Sequence, residues 1–148
     1  MAKMNSKFKY MYDADASVSL IAKDHAAKTA TFNGTALALD KVLGYWNTSS
    51  NELADSTFAI AINVEETDEG TGDETYVIEL EAGPSGFATS IKTGKVTVNG
   101  PGQYVIPVDI DTLKAQKSDI AAIRLAVTIG GTTPSIKLHA WNAGAIIR

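Results

Sequence analysis

Cysteine is absent from the 148 residues. That excludes a disulfide framework and any thiolate-held metal, and agrees with a chain made in a reducing cytoplasm. Histidine is almost absent, with only His25 and His139, and no HxH or HExxH spacing joins them into a metal site. No apolar run approaches the ~20 residues of a membrane span. The opening MAKMNSKFKYMYD is polar and basic with no apolar stretch behind it, so it does not read as a secretion signal. Between Lys41 and Lys92 there is no Lys or Arg, while ten acids lie from Glu52 to Glu81. With a net charge of −4, this balance argues against a general nucleic-acid binder. The expectation is a soluble intracellular product of one domain. A chain this long hides roughly 70% of its unfolded surface on folding and needs no covalent staples.

What is present is alternation at period two. Phe58, Ile60, Ile62 and Val64 share one face of TFAIAINVEE, and Tyr76, Ile78 and Leu80 share one face of TYVIELEA. Tyr104, Ile106, Val108 and Ile110 form the inner set of QYVIPVDI. Ile123, Leu125, Val127 and Ile129 form that of AIRLAVTI, leaving Arg124, Ala126 and Thr128 opposite. Each run predicts a strand with one buried side. Turn residues separate the runs. Asn33-Gly34 predicts a two-residue hairpin between TATF and TALAL, and Asp68 to Glu74 a longer hairpin loop. Asn99 to Gly102 and Gly130 to Pro134 mark two further turns. Pro107, inside a strand pattern, predicts an edge strand or a bulge because proline donates nothing to a ladder. Residues 13–28 fit either a helix or a strand, and Asp111 to Lys117 predicts one helical turn capped by Asp111. About eight short strands favour an all-β antiparallel sandwich, jelly-roll-like rather than immunoglobulin-like. Residues 1–12 read as a short N-terminal arm on a single domain of residues 13–148.

The search for chemistry finds little. Asp24-His25 are neighbours that a strand would point to opposite faces. His139 lies between Leu138 and Ala140 and faces away from the core with Lys137 and Trp141. Glu79 and Glu81 share a strand face about 7 Å apart, a separation suited to an inverting glycosidase. No apolar pocket to raise a carboxyl pKa is visible beside them, so they read as solvent-facing acids. Glu65, Glu66, Asp68, Glu69, Asp73 and Glu74 offer oxygen donors that would suit calcium, without EF-hand spacing. Gly83-Pro84-Ser85-Gly86 is not a nucleophile elbow. No enzyme and no cofactor is expected.

Interface candidates remain. Tyr45 and Trp46 stand in the loop-like GYWNTSSN, and Lys137, His139 and Trp141 on the outer side of the last strand. Aromatics in such places anchor protein interfaces or act as sugar platforms; an inverted phase would instead make Trp141 core. In KFKYMYD, Lys7 and Lys9 interleave with Phe8, Tyr10 and Tyr12. The segment is short for nucleic acid. It suits an arm adding a strand to a neighbouring subunit, or a strand of its own domain.

Three stretches carry a family resemblance: TATFNGTALALD (29–40), GQYVIPVDIDTLKAQKSD (102–119) and IRLAVTIGGTTPSIKLHAWNA (123–143), together about a third of the chain. They resemble the small jelly-roll cement, or decoration, proteins of tailed-phage capsids, and the Bbp-sixteen-like capsid cement family in particular. Lys137, His139 and Trp141 are bulkier than the residues usual in that ending. The resemblance implies a virion protein on the capsid exterior, made in the host cytoplasm. It implies a homotrimer bridging capsomers by contact with the major capsid protein, with no nucleic-acid or membrane partner and no catalytic residues. The other class open to the same sequence is a carbohydrate-binding β-sandwich module using Tyr45, Trp46 and Trp141.

Overall fold

A computed structural model describes residues 19–23, 26–39 and 57–145. The expectations placed on residues 1–12, Asp24-His25 and Tyr45-Trp46 lie outside the described residues. The described strands are β1 (Ser19–Ile21), β2 (Phe32–Asn33), β3 (Leu37–Ala38), β4 (Thr57–Thr67), β5 (Thr75–Gly83), β6 (Ile91–Thr97), β7 (Gly102–Asp109), β8 (Ala122–Gly130) and β9 (Ile136–Ala145). Among the described residues one helix, α1 (Ile110–Gln116), follows β7. The strands form two antiparallel sheets, β1-β9-β4-β7 and β2-β8-β5-β6, with β3 also on β8. Since β2 and β3 occupy one edge position, each sheet has four positions, and successive strands pass repeatedly between the sheets in jelly-roll order.

The period-two residues meet between the sheets. Phe58, Ile60, Ile62 and Val64 of β4 face Tyr76, Ile78 and Leu80 of β5 and Ile123, Leu125 and Val127 of β8 within one buried core. Ile106 and Val108 of β7, Ile136, Leu138 and Ala140 of β9, and Leu20 and Ile21 of β1 join it, with Ile110 and Leu113 of the helix. At roughly 25 cal/mol per Å² of apolar surface removed from water, burying each large side chain contributes on the order of 2 kcal/mol. The sheets also approach along one seam, where β6 and β7 run side by side. There β6 carries a bulge: Leu80 pairs with Thr93 but Ile78 with Val96. Gly94, within the bulge, has φ +68, and any Cβ on it would collide with the Ile106 side chain. Only glycine supplies both that backbone and that clearance.

Several expectations change here. Asn33-Gly34 makes no hairpin. β2 and β3 each pair with β8, at Phe32↔Val127 and Leu37↔Ile123, instead of with each other. The Gly34 and Thr35 amides donate to the Leu125 and Leu20 carbonyls, both at 2.8 Å. Neither Asn33 nor Gly34 takes the positive φ of a tight turn, and what Gly34 provides is clearance for Leu20's backbone. The segment 68–74 is not a hairpin loop either, because β4 and β5 belong to different sheets. Glu65 and Glu66 sit in β4 instead of in that loop. The helix begins one residue early and its cap is Asp109, not Asp111. Asp109 Oδ1 accepts from the Asp111 amide at 3.0 Å and the Thr112 amide at 3.4 Å, which satisfies donors the first turn leaves free. Leu20 and Ile21 are in a strand, and Pro107 lies on the edge strand β7.

Candidate interaction face

Each sheet turns one face to the core and one outward, and the outward face of β1-β9-β4-β7 is where the described interface candidates gather. Alternation places Ala59, Ala61 and Asn63 outward on β4 between buried Phe58, Ile60, Ile62 and Val64. Register sets Pro107 beside Ala59, Val105 and Trp141 on either side of Ala61, and Gln103 and His139 on either side of Asn63. Val105 is 59% exposed, the large hydrophobic side chain left open among the described residues. No formal charge stands in these rows. Charge begins at one end, where Glu65 lies 3.5 Å from Lys137 Nζ and 3.5 Å from His139 Nδ1.

The last strand has the expected phase: Leu138 and Ala140 point inward, Lys137, His139 and Trp141 outward. His139 is nevertheless only 9% exposed. Its ring stacks on Trp141 at 5.2 Å between centroids and 18° between planes. Its Nδ1 has no hydrogen-bond partner, because 3.5 Å to Glu65 is an ion-pair distance too long for a hydrogen bond. The stack joins the two side chains into one aromatic ledge beside the small residues of β4. The structure brings Lys137, His139 and Trp141 together. Ala59, Ala61, Val105 and Pro107 share their face but were not among the interface candidates read from the sequence, since nothing local distinguishes a surface alanine that borders a ledge from any other.

The outward face of β2-β8-β5-β6 has a different chemistry. Glu81 is not a solvent-facing acid: it is 7% exposed, accepting from Ser90 Oγ at 2.6 Å and from Arg124 Nε. Burial alone would raise its pKa, but the hydrogen bonds from Arg124 and Ser90, with the charges of Arg124 and Lys92, outweigh that and hold it below the ordinary glutamate range. Phe87, at φ +54, lays its ring under the Arg124 guanidinium, 4.2 Å from centroid to Cζ. The pair ties the loop between β5 and β6 onto the sheet. Of the two glutamates, Glu81 is held by an arginine while Glu79 stands opposite Ala126.

At one end of the sandwich the loops 68–74 and 131–135 hold each other. Asp73 accepts from the Thr132 amide at 3.1 Å and its hydroxyl at 2.6 Å. Glu74 accepts from the Thr71 amide at 3.1 Å and the Gly72 amide at 2.9 Å. Hydrogen bonds, from Thr132 to Asp73 and from Thr71 to Glu74 above all, hold both carboxyls below their ordinary range. The Tyr76 hydroxyl lies between the loops, accepting from the Ser135 amide at 3.0 Å and donating to the Asp68 carbonyl. The carboxylates of this loop thus hold two turns together, and no group of three or more metal-ligating side chains occurs among the described residues. Among them, no helix is long and apolar enough to cross a membrane.

No family model, no curated protein and no solved structure matches the chain.

Proposed function

We propose that this chain is a structural virion protein that decorates the outside of a phage capsid. In this reading it cements neighbouring capsomers as a homotrimer, with the major capsid protein as its partner. The observation that carries the reading is the contrast between a closed core and one outer face whose central rows hold no formal charge, where Val105, Pro107 and the Trp141–His139 ledge flank Ala59 and Ala61. Interfaces between proteins are depleted of charge at their centre and enriched in aromatics. Trimeric valency multiplies small contacts of this kind into strong avidity, and binding only the assembled lattice stabilises the shell by mass action. The family resemblance points the same way.

Light scattering coupled to size exclusion is the first test, followed by co-sedimentation with expanded capsids. A species of three times the chain mass that sediments with capsids supports the reading; absence from the capsid pellet under all conditions overturns it. A sugar-binding module would share the sandwich and Trp141. One side of the Trp141 ring is already stacked on His139, and a glycan screen with Trp141→Ala as control separates the two classes.

A further inference from the structure

Asparagine followed by glycine is the pair in which a side-chain amide is most readily lost, because glycine leaves its own backbone nitrogen unshielded beside the asparagine Cγ. The chain has two such pairs, Asn33-Gly34 and Asn99-Gly100, and both asparagines are exposed. Exposure therefore does not separate them; the backbone does. Asn33 is paired with Ala126 in the β2–β8 ladder, and the Gly34 N–H donates to the Leu125 carbonyl at 2.8 Å. Gly34 is also wedged against β1, since a Cβ there would lie 2.5 Å from the Leu20 carbonyl oxygen. For the Gly34 nitrogen to turn onto Asn33 Cγ, that hydrogen bond must break and the seam between the sheets must part.

Asn99-Gly100 lies in the turn between β6 and β7. The Tyr104 hydroxyl spans the pair, accepting from the Asn99 amide at 3.1 Å and donating to the Gly100 carbonyl at 2.8 Å. Neither bond uses the reacting atoms, which are the Gly100 nitrogen and Asn99 Cγ. Gly100 is itself covered, but its N–H and the Asn99 carboxamide make no hydrogen bond among the described residues. Nothing stands within 4 Å of where a Gly100 Cβ would lie. We propose that Asn99 is a site of spontaneous deamidation in the folded protein, and that Asn33, in the same dipeptide, is protected by the fold. The Gly100 nitrogen attacks Asn99 Cγ and the N–Cγ bond forms. The bond from Cγ to the side-chain nitrogen breaks, and the Gly100 proton passes through water to that nitrogen, which leaves as ammonia. Water then opens the resulting succinimide at either carbonyl, giving aspartate or isoaspartate. Either product adds one negative charge to a net of −4. The charge falls at the end of the sandwich that carries Asp68, Glu69, Asp73 and Glu74, because the Val98 amide is bonded to the Tyr76 carbonyl there. Isoaspartate also lengthens the backbone between the Asn99 nitrogen and the Gly100 oxygen by a carbon, so that one hydroxyl no longer spans both. The inference does not rest on the capsid reading.

The test ages the full chain at mildly alkaline pH, folded or in urea, and then digests it with trypsin. Mass spectrometry follows residues 96–114 and 29–41, which carry Asn99 and Asn33 on separate peptides, and isoaspartyl methyltransferase labelling reports isoaspartate. In urea both peptides should convert. In the folded protein 96–114 should still convert to a mixture of aspartate and isoaspartate. There 29–41 should be slowed at least about tenfold more than 96–114, because its reaction waits for local opening. A smaller separation, an Asn99 that keeps its amide while the protein is folded, or an Asn33 that keeps its amide even in urea would overturn the proposal. Anion exchange should resolve the aged folded protein into species differing by one charge, and Asn99→Ser should remove the more acidic one. An undiminished acidic species in that variant would place the reaction elsewhere and overturn the proposal as well. None of these measurements involves capsids, so their failure and a failure of co-sedimentation are seen separately.

Discussion

The two outer faces of the sandwich are built on the same core and solve opposite problems. On β2-β8-β5-β6 the outward groups satisfy one another: Glu81 has Arg124 and Ser90, and Arg124 has the Phe87 ring. On β1-β9-β4-β7 the central rows hold no charge, Val105 stands open, and His139 Nδ1 lacks a hydrogen-bond partner. A face whose polar groups are already paired gains little from a partner, whereas an uncharged one gains by covering its apolar surface. On the proposed function, the difference assigns stability to one side and recognition to the other.

The most disruptive change should erase both faces by breaking what they share. Gly94→Val forces a β-branched side chain into positive φ and into Ile106, and should cost more than about 3 kcal/mol in urea unfolding. Next, Arg124→Ala leaves Glu81 buried without its cation and should cost about 3 kcal/mol; on the proposed function, trimer formation and capsid binding by the protein that remains folded should stay normal. Loss of assembly without loss of stability would contradict the division.

Glu81→Gln should cost about 1–2 kcal/mol at neutral pH, as charge-assisted hydrogen bonds are weakened. Because the folded state holds the Glu81 pKa down, its contribution is complete above the ordinary glutamate range. It is lost as the pH falls through the lower folded value. Wild-type and Glu81→Gln stability should therefore converge in acid; a constant gap would show that ionisation of Glu81 is not the source. The smallest stability effect belongs to the other face: Val105→Asp should change unfolding by no more than about 0.5 kcal/mol yet weaken assembly.

The inner layer was legible in the sequence because burial on one side of a strand imposes period two, and Phe58 to Val64, Tyr76 to Leu80 and Ile123 to Val127 all obey it. The edge position of β7 was legible from Pro107. Pairing was not. Asn33-Gly34 carries a tight-turn signature, yet the preference of two residues yields to the separate pairing of β2 and β3 with β8. Glu81 looked solvated because its partner Arg124 lies 43 positions away. Of the interface candidates, Lys137, His139 and Trp141 were placed on the outer side of β9 by phase alone. The rest of the face was invisible because Ala59, Ala61 and Val105 become neighbours only through the β9-β4-β7 order.

That order also governs how the chain comes to be folded. Among the described ladders, β5–β6 is the one that joins consecutive strands. Every other pairing must close a long loop before any contact rewards it, which places folding in the milliseconds-to-seconds regime of non-local β topologies. β9 is synthesised after β1, β4 and β7, and is inserted between β1 and β4. During synthesis the four-stranded sheet therefore lacks its middle until β9 emerges, with β4 exposing a bare edge that invites aggregation. A nascent chain stalled before residue 136 should be held by chaperones, while one extended past residue 145 closes its sheet in a single step.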